Sequence, residues 1–162
     1  HYIEVGPPCG EFTIDPTTVA KPVVLIAGGI GVTPLLSMAK SIMHANPDAS
    51  VYFIQAARNS KVQAFADELR NLADAGPNVI TKVIFDAPLP GDVEEGKCDD
   101  TGFITTKLLR NWTPFSEANF YFCGPKPFMQ NIHSCLQELG VDEHHVRYEF
   151  FGPKEELTAL PA

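Results

Sequence analysis

Three short stretches carry residue types that could do chemistry. The first, Gly28-Gly29-Ile30-Gly31-Val32-Thr33-Pro34, directly follows the apolar run Val23-Val24-Leu25-Ile26-Ala27. Glycines let a backbone approach a phosphate closely, and the free N–H groups and dipole of a helix start attract its charge. A tight strand-to-helix turn could need the same glycines for its backbone angles alone. Placement after a buried strand and before a helix favours the binding reading. The spacing is not the dinucleotide fingerprint GxGxxG, because Pro34 stands where the third small residue would fall. That points away from ordinary dehydrogenases.

The second stretch is Cys123-Gly124-Pro125, closing the run Asn119-Phe120-Tyr121-Phe122-Cys123. A thiol at a strand end could face a ligand, although a buried cysteine acting as a small hydrophobe is the commoner arrangement. The third is Arg58-Asn59-Ser60, after the strand-like run Val51 to Ala57. It could hold a ribose or a 2′-phosphate, and an arginine there is equally a common solvated loop residue.

These stretches must be positioned by the elements around them. Apolar runs at Val23–Ala27, Val51–Ala57, Val79–Phe85, Asn119–Cys123 and Val146–Phe151 read as strands. Helices are expected from about Thr33, over Val62–Ala75 with Phe65, Leu69 and Leu72 on one face, over Thr105–Asn111 and over Pro127–Leu139. Five strands alternating with helices define an α/β fold, a doubly wound five-stranded parallel sheet with helices on both faces. Ligands of such sheets bind outside the carboxyl ends of strands, where the strand order reverses. The three chemical stretches all follow strand ends.

A chain of 162 residues with 44% hydrophobic and 20% charged residues suits one soluble core and excludes wholesale disorder. Its formal charge of −8 argues against a nucleic-acid partner, since phosphate backbones need a basic face. No apolar run approaches the roughly 20 residues needed to cross a bilayer, so no membrane partner is expected. Acidity does not preclude phosphate binding at a helix start, because distant charges are screened beyond about 8 Å in physiological salt.

The cysteines Cys9, Cys98, Cys123 and Cys135 form no CxxC pair and read as reduced thiols of a cytoplasmic protein. No secretory leader is visible, though the chain begins at His1 rather than Met. The pair His144-His145 beside Asp142 and Glu143 reads as a solvated turn, so no metal site is assigned. The acidic run Asp92 to Asp100 reads as a solvated loop with Cys98 exposed in it, or else as a surface facing a partner domain.

In this order, Ala27 to Pro34 and Tyr121-Phe122-Cys123-Gly124-Pro125-Lys126-Pro127-Phe128-Met129 resemble the nicotinamide-binding domain of the ferredoxin–NADP reductase superfamily. Ala57-Arg58-Asn59-Ser60 with Ala64-Phe65, and the closing Tyr148-Glu149-Phe150-Phe151-Gly152-Pro153, resemble more closely the C-terminal reductase domain of flavohaemoglobins, the nitric oxide dioxygenases. One position departs from them: Gln63 stands where those proteins usually carry histidine. Gly6-Pro7-Pro8-Cys9-Gly10-Glu11-Phe12 is similar to the last strand of their flavin-binding barrel.

The resemblance implies a fragment: residues 1–20 as the tail of a flavin barrel and linker, 21–153 as an NAD(P)H-binding domain, 154–162 as a C-terminal tail. It implies that NAD(P)H lays its pyrophosphate on Gly29 to Thr33, with Gly28 and Pro34 flanking, and its nicotinamide near Thr33 and Cys123. Arg58, Asn59 and Ser60 would take the adenosine side, permitting a 2′-phosphate without demanding one. Gly124, Pro125, Phe150, Phe151, Gly152 and Pro153 would complete the cofactor contacts. Phe151 would cover the FAD ring, though one of Phe150 and Phe151 could simply be core. Glu149 would tune electron flow beside the flavin. The implied partners are the flavin-binding domain and a globin domain of the same parent chain, the latter carrying haem. Alternatives are a reductase serving an iron–sulfur or oxygenase partner, and a module that binds the nucleotide without turnover.

Overall fold

A computed structural model describes residues 12–150, with side-chain detail as far as Glu149. Val23–Gly28 forms β1, Val51–Ala57 β2, Val79–Phe85 β3, Asp100–Thr101 β4, Asn119–Gly124 β5 and Val146–Phe150 β6. The helices are α1 (Val32–Ala45), α2 (Ala66–Asp74), α3 (Thr106–Trp112) and α4 (Lys126–Glu138). All strands pair in parallel, in the order β4-β3-β2-β1-β5-β6.

Every residue of β1 is buried, because helices cover both faces of the sheet. Successive side chains of a strand point to opposite faces, so β1 feeds two separate cores. Val23, Leu25 and Ala27 pack with Leu35, Ala39 and Ile42 of α1 and with Leu69 and Leu72 of α2. Val24 and Ile26 join Phe120 and Phe122 of β5, Leu109 of α3, and Met129, Ile132 and Leu136 of α4. Phe12, Ile14 and Val19 pack against the first of these cores, so the segment just before β1 is tied to it. Residues 1–11 and 151–162 lie outside the described chain.

Three local expectations need correction. Among the described residues the sheet has six strands: β4 is only two residues long, too short to show a period, and its neighbours Asp99 and Gly102 bond the carbonyls of Val83 and Phe85 at 2.7 and 2.8 Å. The second helix begins at Ala66 rather than Val62, because the preceding residues close a turn on Asn59. Its carbonyl accepts from the Val62 and Gln63 N–H groups at 3.3 and 3.0 Å, and Phe65 is left-handed at φ 59°. The acidic loop is not simply solvated either. Asp92 is 1% exposed, accepting the Ser60 hydroxyl at 2.6 Å and the Leu89 N–H at 2.9 Å, and Cys98 is half-buried.

Candidate functional site

From β1 the chain builds β2, β3 and β4 to one side, then returns to place β5 and β6 on the other. The reversal lies between β1 and β5, with Ala27 opposite Cys123. Such a switch point opens a crevice at the carboxyl ends of its two strands. Both α1 and α4 start there, and neither start is capped by a side chain. Their first turns therefore lack side-chain acceptors, each at the positive end of a helix dipole, although the Val32 N–H is taken by the Ile30 carbonyl.

The three glycines of the turn do different jobs. A Cβ on Gly31 would fall 2.0 Å from the Cys123 carbonyl oxygen, so this glycine lets α1 seat directly on β5. A Cβ on Gly28 would fall 2.7 Å from the Phe128 ring, and one on Gly124 2.5 Å from it. Phe128 thus lies across the ends of both central strands, and those glycines make room for the protein's own ring. Gly29 alone is exposed and left-handed, at φ 53°, with only Pro125 near, at 3.9 Å. Close approach by a ligand is available at Gly29, Ile30 and Thr33, the exposed residues of the turn.

A cleft of about 830 Å³ opens over the carboxyl ends of β1, β2 and β3, on the α4 side of the sheet. Gly28, Gly29, Pro125 and Phe128 form its end at the switch point, and Arg58 lines it beside β2. Phe103, 73% exposed, lines it from the segment after β4. Asp86 lines it at the end of β3, and its Oδ1 is buried with no hydrogen-bond partner. Ordinarily a buried polar atom is paired, so this one calls for an explanation.

The structure therefore gathers Gly28, Gly29, Arg58 and Pro125 on one cleft and leaves other expected residues off it. Asn59 accepts from Lys61 N–H at 3.1 Å and shapes its own turn, while Ser60 is committed to Asp92. Cys123 is fully buried in the α1 core beside Ala27 and Val32. Burial pushes its thiol up to about 11, the Glu149 carboxylate adds to this, and the Gly124 N–H opposes it. A thiol so placed stays protonated near neutrality and is no nucleophile. Val32 is buried and Pro34 half-buried in the first turn of α1. Glu149 is exposed on β6 opposite Cys123, and Phe150 pairs with Gly124. Phe151, Gly152 and Pro153 lie outside the described residues.

Sequence reasoning missed Asp86, Phe103 and Gln55. Asp86 carried a usable signal, a lone acid closing an apolar strand at its carboxyl end. Gln55 interrupts the apolar run of β2, is 1% exposed, and is satisfied at both ends of its amide. It donates to the Ala64 carbonyl at 2.8 Å and accepts from Gln63 Nε2 at 2.9 Å, so it positions the turn that carries Arg58 into α2. Among the described residues no group of three or more His, Cys, Asp or Glu could hold a metal ion, and no helix is long and apolar enough to cross a membrane.

A parallel sheet with its crevice at this switch point defines a nucleotide-binding α/β domain. Residues 25–134 match the oxidoreductase NAD-binding domain family, and the chain belongs to that family. It is 78% identical over 160 residues, 99% of its length, to a flavohemoprotein of Rhodopirellula baltica, and spans 39% of that protein. The flavohem-like FAD/NAD-binding domain of nitric oxide dioxygenase from Vibrio cholerae superposes at a TM-score of 0.73 with 30% identity, over 90% of this chain and 56% of that one. Flavohemoglobin from Malassezia yamatoensis, solved with FAD and heme, superposes at 0.70 with 28% identity, over 87% of this chain and 33% of that one.

Proposed function

We propose that the chain binds NAD(P)H and presents its nicotinamide to FAD on an adjoining flavin-binding domain, within a flavohaemoglobin whose haem oxidises nitric oxide with dioxygen. The observation that carries this reading is the crevice between β1 and β5, where two uncapped helix starts and the left-handed Gly29 face one space. The orphaned Asp86 Oδ1 in the same cleft is a second mark of fit, since it lacks a donor that a ligand would bring. The similarity to flavohemoproteins of three organisms supports the choice among reductases.

When bound, the dinucleotide supplies a hydride to the flavin. The chain's own part is to hold and orient. The turn from Gly29 to Thr33 takes the pyrophosphate at the start of α1, on its N–H groups other than that of Val32, which is bound to the Ile30 carbonyl. Arg58, one strand away at the end of β2, takes the adenosine ribose. The nicotinamide end lies toward Thr33 and the end of β5, where the protonated Cys123 offers an uncharged wall. Glu149, exposed at the end of β6, faces the flavin. The nucleotide unit begins near residue 21, and the segment from Phe12 to Val19 leads into it, packed against its first core. The protein is placed in the cytoplasm on its cysteine usage.

Calorimetric titration of the chain with NADH and NADPH tests the reading. Binding that is lost in Gly29→Val while the fold is retained supports it. Failure of the wild-type chain to bind either dinucleotide, or full binding by Gly29→Val, overturns it.

A further inference from the structure

Arg58 lines the cleft at the end of β2, and its guanidinium has no hydrogen-bond or ion-pair partner among the described residues. The main chain that carries it therefore sets where it points. Two bonds near the strand ends fix part of that chain: the Ala87 N–H donates to the Arg58 carbonyl at 2.9 Å, and the Lys61 N–H to Asn59 Oδ1 at 3.1 Å. At Ser60 the hold comes from a different loop. Asp92, in the segment after β3, accepts the Ser60 hydroxyl on Oδ1 at 2.6 Å and the Ser60 N–H on Oδ2 at 3.2 Å.

Asp92 stands behind this turn and not in the cleft. Arg58 and Val62 line the cleft, whereas Ser60 and Gln63 line a separate hollow of about 520 Å³ against α2. Asp92 itself is buried, and its other polar partners are the Leu89 N–H, at 2.9 Å from Oδ2, and the Lys97 ammonium, at 3.8 Å from Oδ1. Both oxygens are thus spent on loops, none on the sheet. Burying a carboxylate costs stability unless it is well bonded, and bonds to an ionised acceptor are strong. The result is a turn held in one geometry before any ligand arrives. A ligand that meets a pre-aimed arginine loses less freedom on binding.

We propose that Asp92 is a positioning residue for dinucleotide binding: from behind the turn it fixes the main chain that aims Arg58 into the cleft. The assignment rests on the dinucleotide reading above, and adds to it a residue that does not touch the ligand. An Asp92 that served the fold alone would weaken binding by the same factor with or without Arg58. A positioning role makes the two residues one unit, so removing Arg58 leaves Asp92 nothing to aim.

The test is titration calorimetry of the 162-residue chain with NADH for wild type, Asp92→Ala, Arg58→Ala and the double variant, with urea unfolding of each to report its fold. Each single variant should bind NADH about tenfold more weakly than wild type. The double variant should bind no more weakly than Arg58→Ala, where independent effects would multiply to about a hundredfold. Should Asp92→Ala fail to fold, Ser60→Ala removes the hydroxyl bond alone, and should cost about threefold with Arg58 present and nothing without it. Unchanged affinity on removing the Asp92 contacts overturns the assignment, as do effects that multiply in the double variant. Either result beside normal wild-type binding leaves the dinucleotide reading standing and removes only this one. Absence of any wild-type binding removes both.

Discussion

Gly31 touches Cys123 so closely that no Cβ could stand between them, since it would lie 2.0 Å from the carbonyl oxygen and 2.4 Å from the carbonyl carbon. The contact is backbone on both sides, and Cys123 is held in register with Ala27 of β1. The start of α1 is thus wedged onto the end of β5, and the switch point is a packed joint as well as a crevice.

Gly31→Ala should therefore lower stability by about 2 kcal/mol or more, since relief requires moving α1 or the end of β5. Gly29→Ala makes only an ordinary contact with Pro125 and pays only for its left-handed backbone, about 1 kcal/mol. Urea unfolding of the two variants should separate them in that order. Equal costs would contradict the packing account of Gly31.

Cys123 should resist thiol reagents in the native protein at pH 8, while the half-buried Cys98 is labelled before either buried thiol, Cys123 or Cys135. Its folded value near 11 lies above the ordinary thiol value of 9.0, so folding favours the protonated form. That contribution is complete below pH 9 and disappears as the pH climbs to about 11, because the unfolded chain loses its proton first. Subtracting the Cys123→Ala unfolding curve from wild type isolates it from Tyr121, which burial also pushes up.

Asp92 gives a dependence of opposite sign. The Ser60 hydroxyl holds its carboxyl below the usual aspartate value of 3.8, burial opposes, and the Leu89 and Ser60 N–H groups and Lys97 assist. The resulting stabilisation is present above pH 4 and falls away as acid protonates the folded carboxyl. Protection of the Ser60 and Leu89 N–H groups against hydrogen exchange, relative to the intrinsic rate at each pH, should fall in acid, and Asp92→Ala should leave both weakly protected at every pH. Acid-independent protection would rule the anchor out.

Gln55→Leu should cost about 1–3 kcal/mol, because it strands the Ala64 carbonyl and releases Gln63. Phe65→Gly should do the reverse. Phe65 is 44% exposed and left-handed, so glycine loses little packing and relieves up to about 1 kcal/mol of backbone strain. Thermal unfolding of each variant decides, and a destabilised Phe65→Gly would mean its ring contributes more than its exposure allows.

By itself the sequence determined the alternating architecture. Burial on two faces demands continuous apolar strands, and helix starts and stops carry local marks, so Val51–Ala57 and Val79–Phe85 could be bounded to the residue. Strand ends also placed the glycine turn, Arg58 and the Cys123 turn at one edge of the sheet. Tertiary structure alone decided which of those residues line the cleft. Besides the left-handed backbone of Gly29, Gly31 and Gly28 differ from it in what lies opposite them, a β5 carbonyl or the Phe128 ring, and those neighbours are about a hundred positions away in the chain. The same holds for Ser60, drawn off by Asp92, and for Asp86, whose missing partner becomes visible only when the cleft around it closes. Strand and helix follow from periodic local pattern. Satisfaction of a polar atom depends on distant contacts that no local pattern encodes.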